Sequence, residues 1–134
     1  MTTSLFRRHD KPAPVADVQR YVEAVQVASG AFVVRQGEPA LAFYVVLAGE
    51  FTVLLETEPR SVALAVLGPG DCFGEVGMLS TGRHPTTVRA ATDGELVVLG
   101  RAELDQIVAD AVVTGMDLPA AAVHYAAALD WSVG

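Results

Sequence analysis

The sequence predicts a mainly β fold with flanking helices: a double-stranded β-helix, or jelly-roll sandwich, with a short N-terminal helix and two C-terminal helices. Three observations lead there. From Val25 to Gly100, short segments rich in Val, Phe, Tyr and Leu alternate with turn residues about every ten positions, the texture of an antiparallel sandwich. Between those segments there is no helix long enough to link parallel strands. After Gly100 the apolar period changes from that of a strand to that of a helix.

The elements follow in chain order. Residues 1–14 are polar and charged and end in Lys11-Pro12-Ala13-Pro14, which reads as a flexible arm; residues 15–134 read as the folded domain. Val15, Val18, Val22 and Val25 recur at roughly helical spacing and predict a short helix over about 15–23. The segments Phe32–Arg35, Phe43–Leu47, Phe51–Glu56, Val62–Leu67, Thr86–Ala91 and Leu96–Leu99 predict strands. They are bounded by Ser29-Gly30, Gly37-Glu38-Pro39, Gly49, Glu58-Pro59, Gly68-Pro69-Gly70, Gly82 with Pro85, and Asp93-Gly94. Leu104, Ile107, Val108, Ala111 and Val112 then follow the i, i+3, i+4 spacing of an amphipathic helix that stops at Gly115. Asp117 caps a second, Ala-rich helix over about 118–131, with Pro119 in its first turn.

Composition narrows the function classes. A chain of 134 residues fits one domain, and 51% hydrophobic residues with a mean hydropathy of +0.38 give ample core material. The apolar surplus fits a deeply packed sandwich or a face covered by a protein partner or a second copy. A net charge of −7 and the lack of any basic run beyond Arg7-Arg8 argue against nucleic-acid binding by this chain alone. The single cysteine, Cys72, forms no internal disulfide. No secretory signal or transmembrane run is visible, so the expected location is cytoplasmic.

The stretch richest in chemistry is Gly68-Pro69-Gly70-Asp71-Cys72-Phe73-Gly74-Glu75-Val76-Gly77-Met78-Leu79. Gly-Pro-Gly-Asp is a tight turn delivering a short strand. Phe73 is expected to be buried, and Gly74 lets the backbone approach a neighbour closely. Glu75 to Leu79 can form one helical turn whose first N–H groups face outward, which suits an anion. A carboxylate there would repel bare phosphate but can accept from a sugar hydroxyl, so the pattern suits a ribose phosphate.

At this point the chain resembles the cyclic-nucleotide-binding-domain family, over about Val25 to Ala109. Val33-Val34-Arg35-Gln36-Gly37-Glu38-Pro39-Ala40 is similar to the family's strand-turn pattern, and Phe43 to Phe51 to its next hairpin. Gly70-Asp71-Cys72-Phe73-Gly74-Glu75, followed by Val88-Arg89-Ala90, is similar to its phosphate-binding cassette. The resemblance implies that Gly74 and Glu75 contact the ribose, Glu75 accepting from the 2′-hydroxyl, and that the amides of Gly77 and Met78 face the cyclic phosphate. It also implies an arginine where this chain has His84, and a small hydroxyl or Ala residue where it has Pro85. Arg83 lies one residue early. The candidate ligand-binding set is therefore Phe73, Gly74, Glu75, Val76, Gly77, Met78, Arg83, His84, Thr86 and Thr87.

A charge-assisted hydrogen bond is worth roughly 1.5–3 kcal/mol, so the altered loop bears directly on affinity. Three outcomes stand open: Arg83 reaches the phosphate through a shifted loop, a protonated His84 takes its place, or the cavity binds no nucleotide. Plainer readings stand beside these. Glu75 can serve only as a charge at a helix start, Arg83 and His84 can sit solvated on a loop, and Cys72 can be a small buried hydrophobe. His9, His84 and His124 are not spaced as a metal cluster, no serine has a nucleophile-elbow context, and no phosphate loop or dinucleotide fingerprint is present.

The expectation is a non-catalytic regulatory or sensor module that takes cyclic AMP or cyclic GMP and signals to a partner chain, with no metal or resident cofactor. The alternative is an accessory or structural subunit of a larger complex, with the same fold and a pocket that binds no nucleotide.

Overall fold

The computed structural model describes residues 6–9 and 22–131. Its elements are β1 (Phe6–His9), β2 (Val22–Val27), β3 (Phe32–Val34), β4 (Phe43–Ala48), β5 (Phe51–Glu56), β6 (Ser61–Leu67), β7 (Cys72–Phe73), α1 (Glu75–Leu79), β8 (Thr87–Ala90), β9 (Gly94–Leu99), α2 (Arg101–Thr114) and α3 (Leu118–Ala128). The strands form two antiparallel sheets, one in the order β1-β2-β9-β4-β7 and the other β3-β8-β5-β6. The jelly-roll sandwich expected from the turn spacing is the fold observed.

The layers follow from side-chain alternation along the central strands. On β4, Phe43, Val45 and Leu47 face the helices, whereas Val46 faces the second sheet; on β9, Val97 and Leu99 face the helices and Leu96 the second sheet. Both faces are covered, which is why Phe43–Ala48 and Leu96–Leu99 read as unbroken apolar runs. Two cores result. One lies between the sheets around Val25, Val46, Phe51, Val88 and Leu96. The other lies between the five-stranded sheet and the helices around Phe43, Leu99, Leu104 and Ile107. Each large apolar side chain buried in this way contributes about 1.5–3 kcal/mol.

The C-terminal helices form as their start and stop signals predict. Gly115 ends α2 with φ +74, and Asp117 Oδ1 accepts from Ala120 N at 2.9 Å at the start of α3. The two helices meet at a bend of 114°. Ala121, Ala122 and Ala126 let α3 settle closely on the sheet, and Trp131 closes this core. Among the described residues, no single helix is long and apolar enough to cross a membrane. Part of the apolar surplus stays at the surface: Val62, Leu64 and Val66 on the edge strand β6, and Val112 and Val113 on α2, are exposed.

The N-terminal region departs from expectation in two places. The expected flexible arm holds β1, paired antiparallel with β2 from Phe6 opposite Val27 to His9 opposite Ala24. The helix expected over about 15–23 gives way at Val22 and Glu23 to β2, which pairs with β9; its earlier part lies outside the described residues. Ala24 packs toward the helices and Val25 and Val27 toward the second sheet. A strand buried on both faces lacks clean alternation, and its valines mimic helical spacing.

Candidate functional site

The turn Gly68-Pro69-Gly70-Asp71 is closed by its own aspartate, which accepts from Gly68 N at 2.8 Å. It delivers β7 alongside β4, with Phe73 opposite Tyr44. The Phe73 ring stacks on Tyr44 at 4.9 Å between centroids and lies 5.9 Å from Phe51. Gly74 then turns the chain with φ +97; a Cβ there would stand 3.0 Å from the Ala42 carbonyl oxygen. The close neighbour that Gly74 accommodates is therefore the backbone at the start of β4. One helical turn follows as α1, and its first N–H groups lack intrahelical partners.

Next to α1, the chain from Gly82 to His84 zips against the β3–β4 connection. Gly37 N donates to the His84 carbonyl at 2.8 Å, His84 N to the Glu38 carbonyl at 2.9 Å, and Ala40 N to the Gly82 carbonyl at 2.8 Å. Gly77 sits directly on this ribbon. A Cβ there would stand 2.6 Å from the Arg83 carbonyl oxygen and 2.8 Å from Ala40 Cβ.

Between these pieces lies a cavity of about 170 Å³. Seven of the residues expected from sequence line it: Phe73, Gly74, Glu75, Val76, Gly77, His84 and Thr86. Three do not. Met78 turns away into the core beneath the helices with Phe43 and Leu104, because α1 presents opposite faces to the cavity and to the core. Arg83 is exposed, and its Nη1 donates to the Gly37 carbonyl at 2.8 Å. Thr87 is fully buried; its hydroxyl donates to Glu56 and accepts from Gln36 N at 2.9 Å. The remaining walls are Val34, Val53, Leu67, Cys72, Pro85 and Val88. The inward positions of β3, β5, β6 and β8 carry the signal for the aliphatic ones, but it becomes readable only once strand register is known.

The electrostatics are unusual for a site expected to take an anion. Among the described residues lining the cavity there is no lysine or arginine. Burial pushes the Glu75 carboxyl up from its ordinary value; its own backbone N–H and the Cys72 thiol, both donating to it, oppose that. Glu75 Oε1 is buried without a hydrogen-bond partner. Burial, followed by the nearby charges of Glu75, Asp71 and Asp117, pushes the Cys72 thiol up to about 12, so it stays protonated. Burial also pushes the His84 imidazole down, against the pull of Glu38. Among the described residues, no three His, Cys, Asp or Glu side chains gather to hold a metal ion.

The arrangement links the cavity to the C-terminal helices. Gly77 is a wall of the cavity, Met78 beside it is part of the core under α2 and α3, and Arg101 Nη1 at the start of α2 donates to the Met78 carbonyl at 3.1 Å.

Comparison with known proteins agrees with this geometry. The cAMP-dependent protein kinase regulatory subunit of Dictyostelium discoideum is 31% identical over 108 residues, covering 78% of this chain and 33% of that protein. A cyclic nucleotide-gated potassium channel of Mesorhizobium japonicum is 33% identical over 96 residues, covering 72% of this chain and 25% of the channel. The chain thus spans a third or less of these curated relatives. The crystal structure of a cyclic nucleotide-binding domain from Methylobacillus flagellatus superposes with a TM-score of 0.62 at 20% identity, covering 82% of this chain and 62% of that one, a likeness of fold. The family model described as the cyclic nucleotide-binding domain matches residues 24–111, and with the sandwich, β7, α1 and the cavity in place, the chain belongs to the cyclic nucleotide-binding domain family.

Proposed function

We propose that this chain is a non-catalytic regulatory module whose cavity takes a cyclic nucleotide and whose C-terminal helices pass occupancy to a partner chain. The observation that carries the reading is Glu75 Oε1, buried at the cavity without a partner. An unsatisfied buried acceptor costs about 1–3 kcal/mol, and a ribose hydroxyl donating to it would remove that cost. The names of the curated relatives, a cAMP-dependent kinase regulatory subunit and a cyclic nucleotide-gated channel, support the same ligand class. The route outward is short. A ligand pressing on Gly77 displaces Met78 in the core and the Met78 carbonyl that Arg101 holds.

The test is titration calorimetry with cyclic AMP and cyclic GMP, repeated for Glu75→Ala. The reading expects saturable binding that weakens at least tenfold in the variant, the loss of about one charged hydrogen bond. Equal affinity in the variant would remove Glu75 from the site.

A second reading, an accessory subunit whose cavity binds no nucleotide, is favoured by one observation. Arg83, the guanidinium nearest in sequence to the family's phosphate position, is tied to the Gly37 carbonyl and does not line the cavity. Absence of any thermal shift at millimolar nucleotide, together with a stable complex with a second protein or a second copy, would decide for it. A ligand at a hundred times its dissociation constant stabilises a fold by about 2.7 kcal/mol, so a true ligand is easily seen.

A further inference from the structure

We propose that His84 is the anion-binding residue of this cavity and that it takes up its proton together with the ligand, which makes anion binding here proton-coupled. The inference rests on the cyclic-nucleotide reading above and names the residue and the regulation that reading left open.

Position comes first. His84 lines the cavity at 6% exposure, and its backbone is fastened on both sides, to Glu38 through its N–H and to Gly37 through its carbonyl. The strip therefore presents His84 to the cavity without a loop shift. Arg83 is exposed and engaged with the Gly37 carbonyl, so it supplies no charge to the interior. Phosphate placed against Glu75 in a partly buried cavity is favoured by a compensating cation, since like charges repel more strongly there than in open water.

The groups around His84 are few. Glu38 faces it from the β3–β4 connection, and Glu75 on α1 and Cys72 on β7 share the cavity; β3, β5, β6 and β8 contribute aliphatic side chains, with Thr86 alongside. In the protein alone, burial favours the neutral imidazole, although Glu38 pulls toward the cation. A ligand carrying one negative charge reverses that preference. By linkage, a ligand that raises the affinity for a proton binds more tightly when protons are abundant. A cyclic phosphate monoanion does this, and a neutral nucleoside does not.

The experiment is titration calorimetry of the full chain with cyclic AMP at pH 6.5 and 7.5, in buffers of different ionisation heat, with adenosine as the neutral comparator. The wild type is expected to bind cyclic AMP up to about tenfold more weakly at pH 7.5 than at 6.5, the limiting slope for one proton, with up to one proton taken up per ligand. Adenosine is expected to show neither effect. His84→Gln is expected to lose the pH slope, and His84→Arg to bind at least as tightly as the wild type with a flat pH profile. Cyclic AMP binding without proton uptake, or a slope that persists in His84→Gln, overturns the inference while the nucleotide reading stands. Failure of both the wild type and His84→Arg to bind at either pH overturns the nucleotide reading, and the inference with it.

Discussion

Gln36 and Glu56 are joined twice: Gln36 Nε2 donates to the Glu56 carbonyl at 3.1 Å, and Glu56 N donates to Gln36 Oε1 at 2.7 Å. The glutamine side chain stands in for a strand at the end of β5 and satisfies both main-chain groups of Glu56. The same corner holds the Thr87 hydroxyl between Glu56 and Gln36 N, with Arg35 Nη2 3.5 Å from Glu56 Oε1. This corner fixes the start of β8, whose preceding residues Pro85 and Thr86 line the cavity.

Gln36→Ala removes both bonds and leaves a half-buried amide and carbonyl without their partner. Urea unfolding is expected to show a loss of about 1–3 kcal/mol. A change within experimental error would mean that water replaces the glutamine at no cost.

Gly77 is a second lever on the site. A Cβ at this position would meet the Arg83 carbonyl at 2.6 Å, a contact with main chain that no rotamer relieves. Gly77→Ala is expected to cost about 1–3 kcal/mol, the usual penalty for overpacking, and to open the ribbon that holds His84. Gly68→Ala, where an added Cβ meets nothing within 4 Å, is the control and is expected to be close to neutral. Equal effects at the two positions would show that Gly77 is not pinned as described.

Much of this fold is legible in the sequence because its signals are local. The turn residues set the strand spacing, and Gly115, Asp117 and Pro119 punctuate the helices where they are found. The strand Cys72–Phe73 and the helical turn Glu75–Leu79 also follow from neighbouring residues. What local pattern misses depends on distant pairing. Val22 and Glu23 at the start of β2 look helical until β9 pairs with them. The directions of Arg83 and His84 depend on a ribbon made with residues 37–40, more than forty positions earlier in the chain. The Met78 side chain belongs to the core beneath α2, a placement that depends on Phe43 and Leu104, far from it in the chain. The plainer reading of Glu75, a charge at a helix start, does not account for its buried, unpartnered oxygen.

That oxygen also makes a stability prediction. The Glu75 carboxyl titrates above its ordinary 4.5 in the folded chain, so the folded state binds the proton more tightly than the unfolded state. The proton therefore favours folding at low pH, and this support fades as pH rises through the folded value. At neutral pH the ionised, partly buried carboxylate weighs against the fold. Glu75→Gln is expected to melt above the wild type at pH 7.5, with the difference shrinking toward pH 4. A variant that melts lower at pH 7.5 would mean that the charge has a partner worth more than its burial costs.

The most direct test of the central claim is an amide ¹H–¹⁵N spectrum of the labelled chain titrated with cyclic AMP at pH 6.5. Saturable shifts are predicted at Gly74, Glu75, Gly77 and Thr86, together with shifts at Arg101 and Leu104, where Met78 ties the cavity to α2. An unchanged spectrum at millimolar cyclic AMP, or shifts confined to residues away from the cavity, would contradict it.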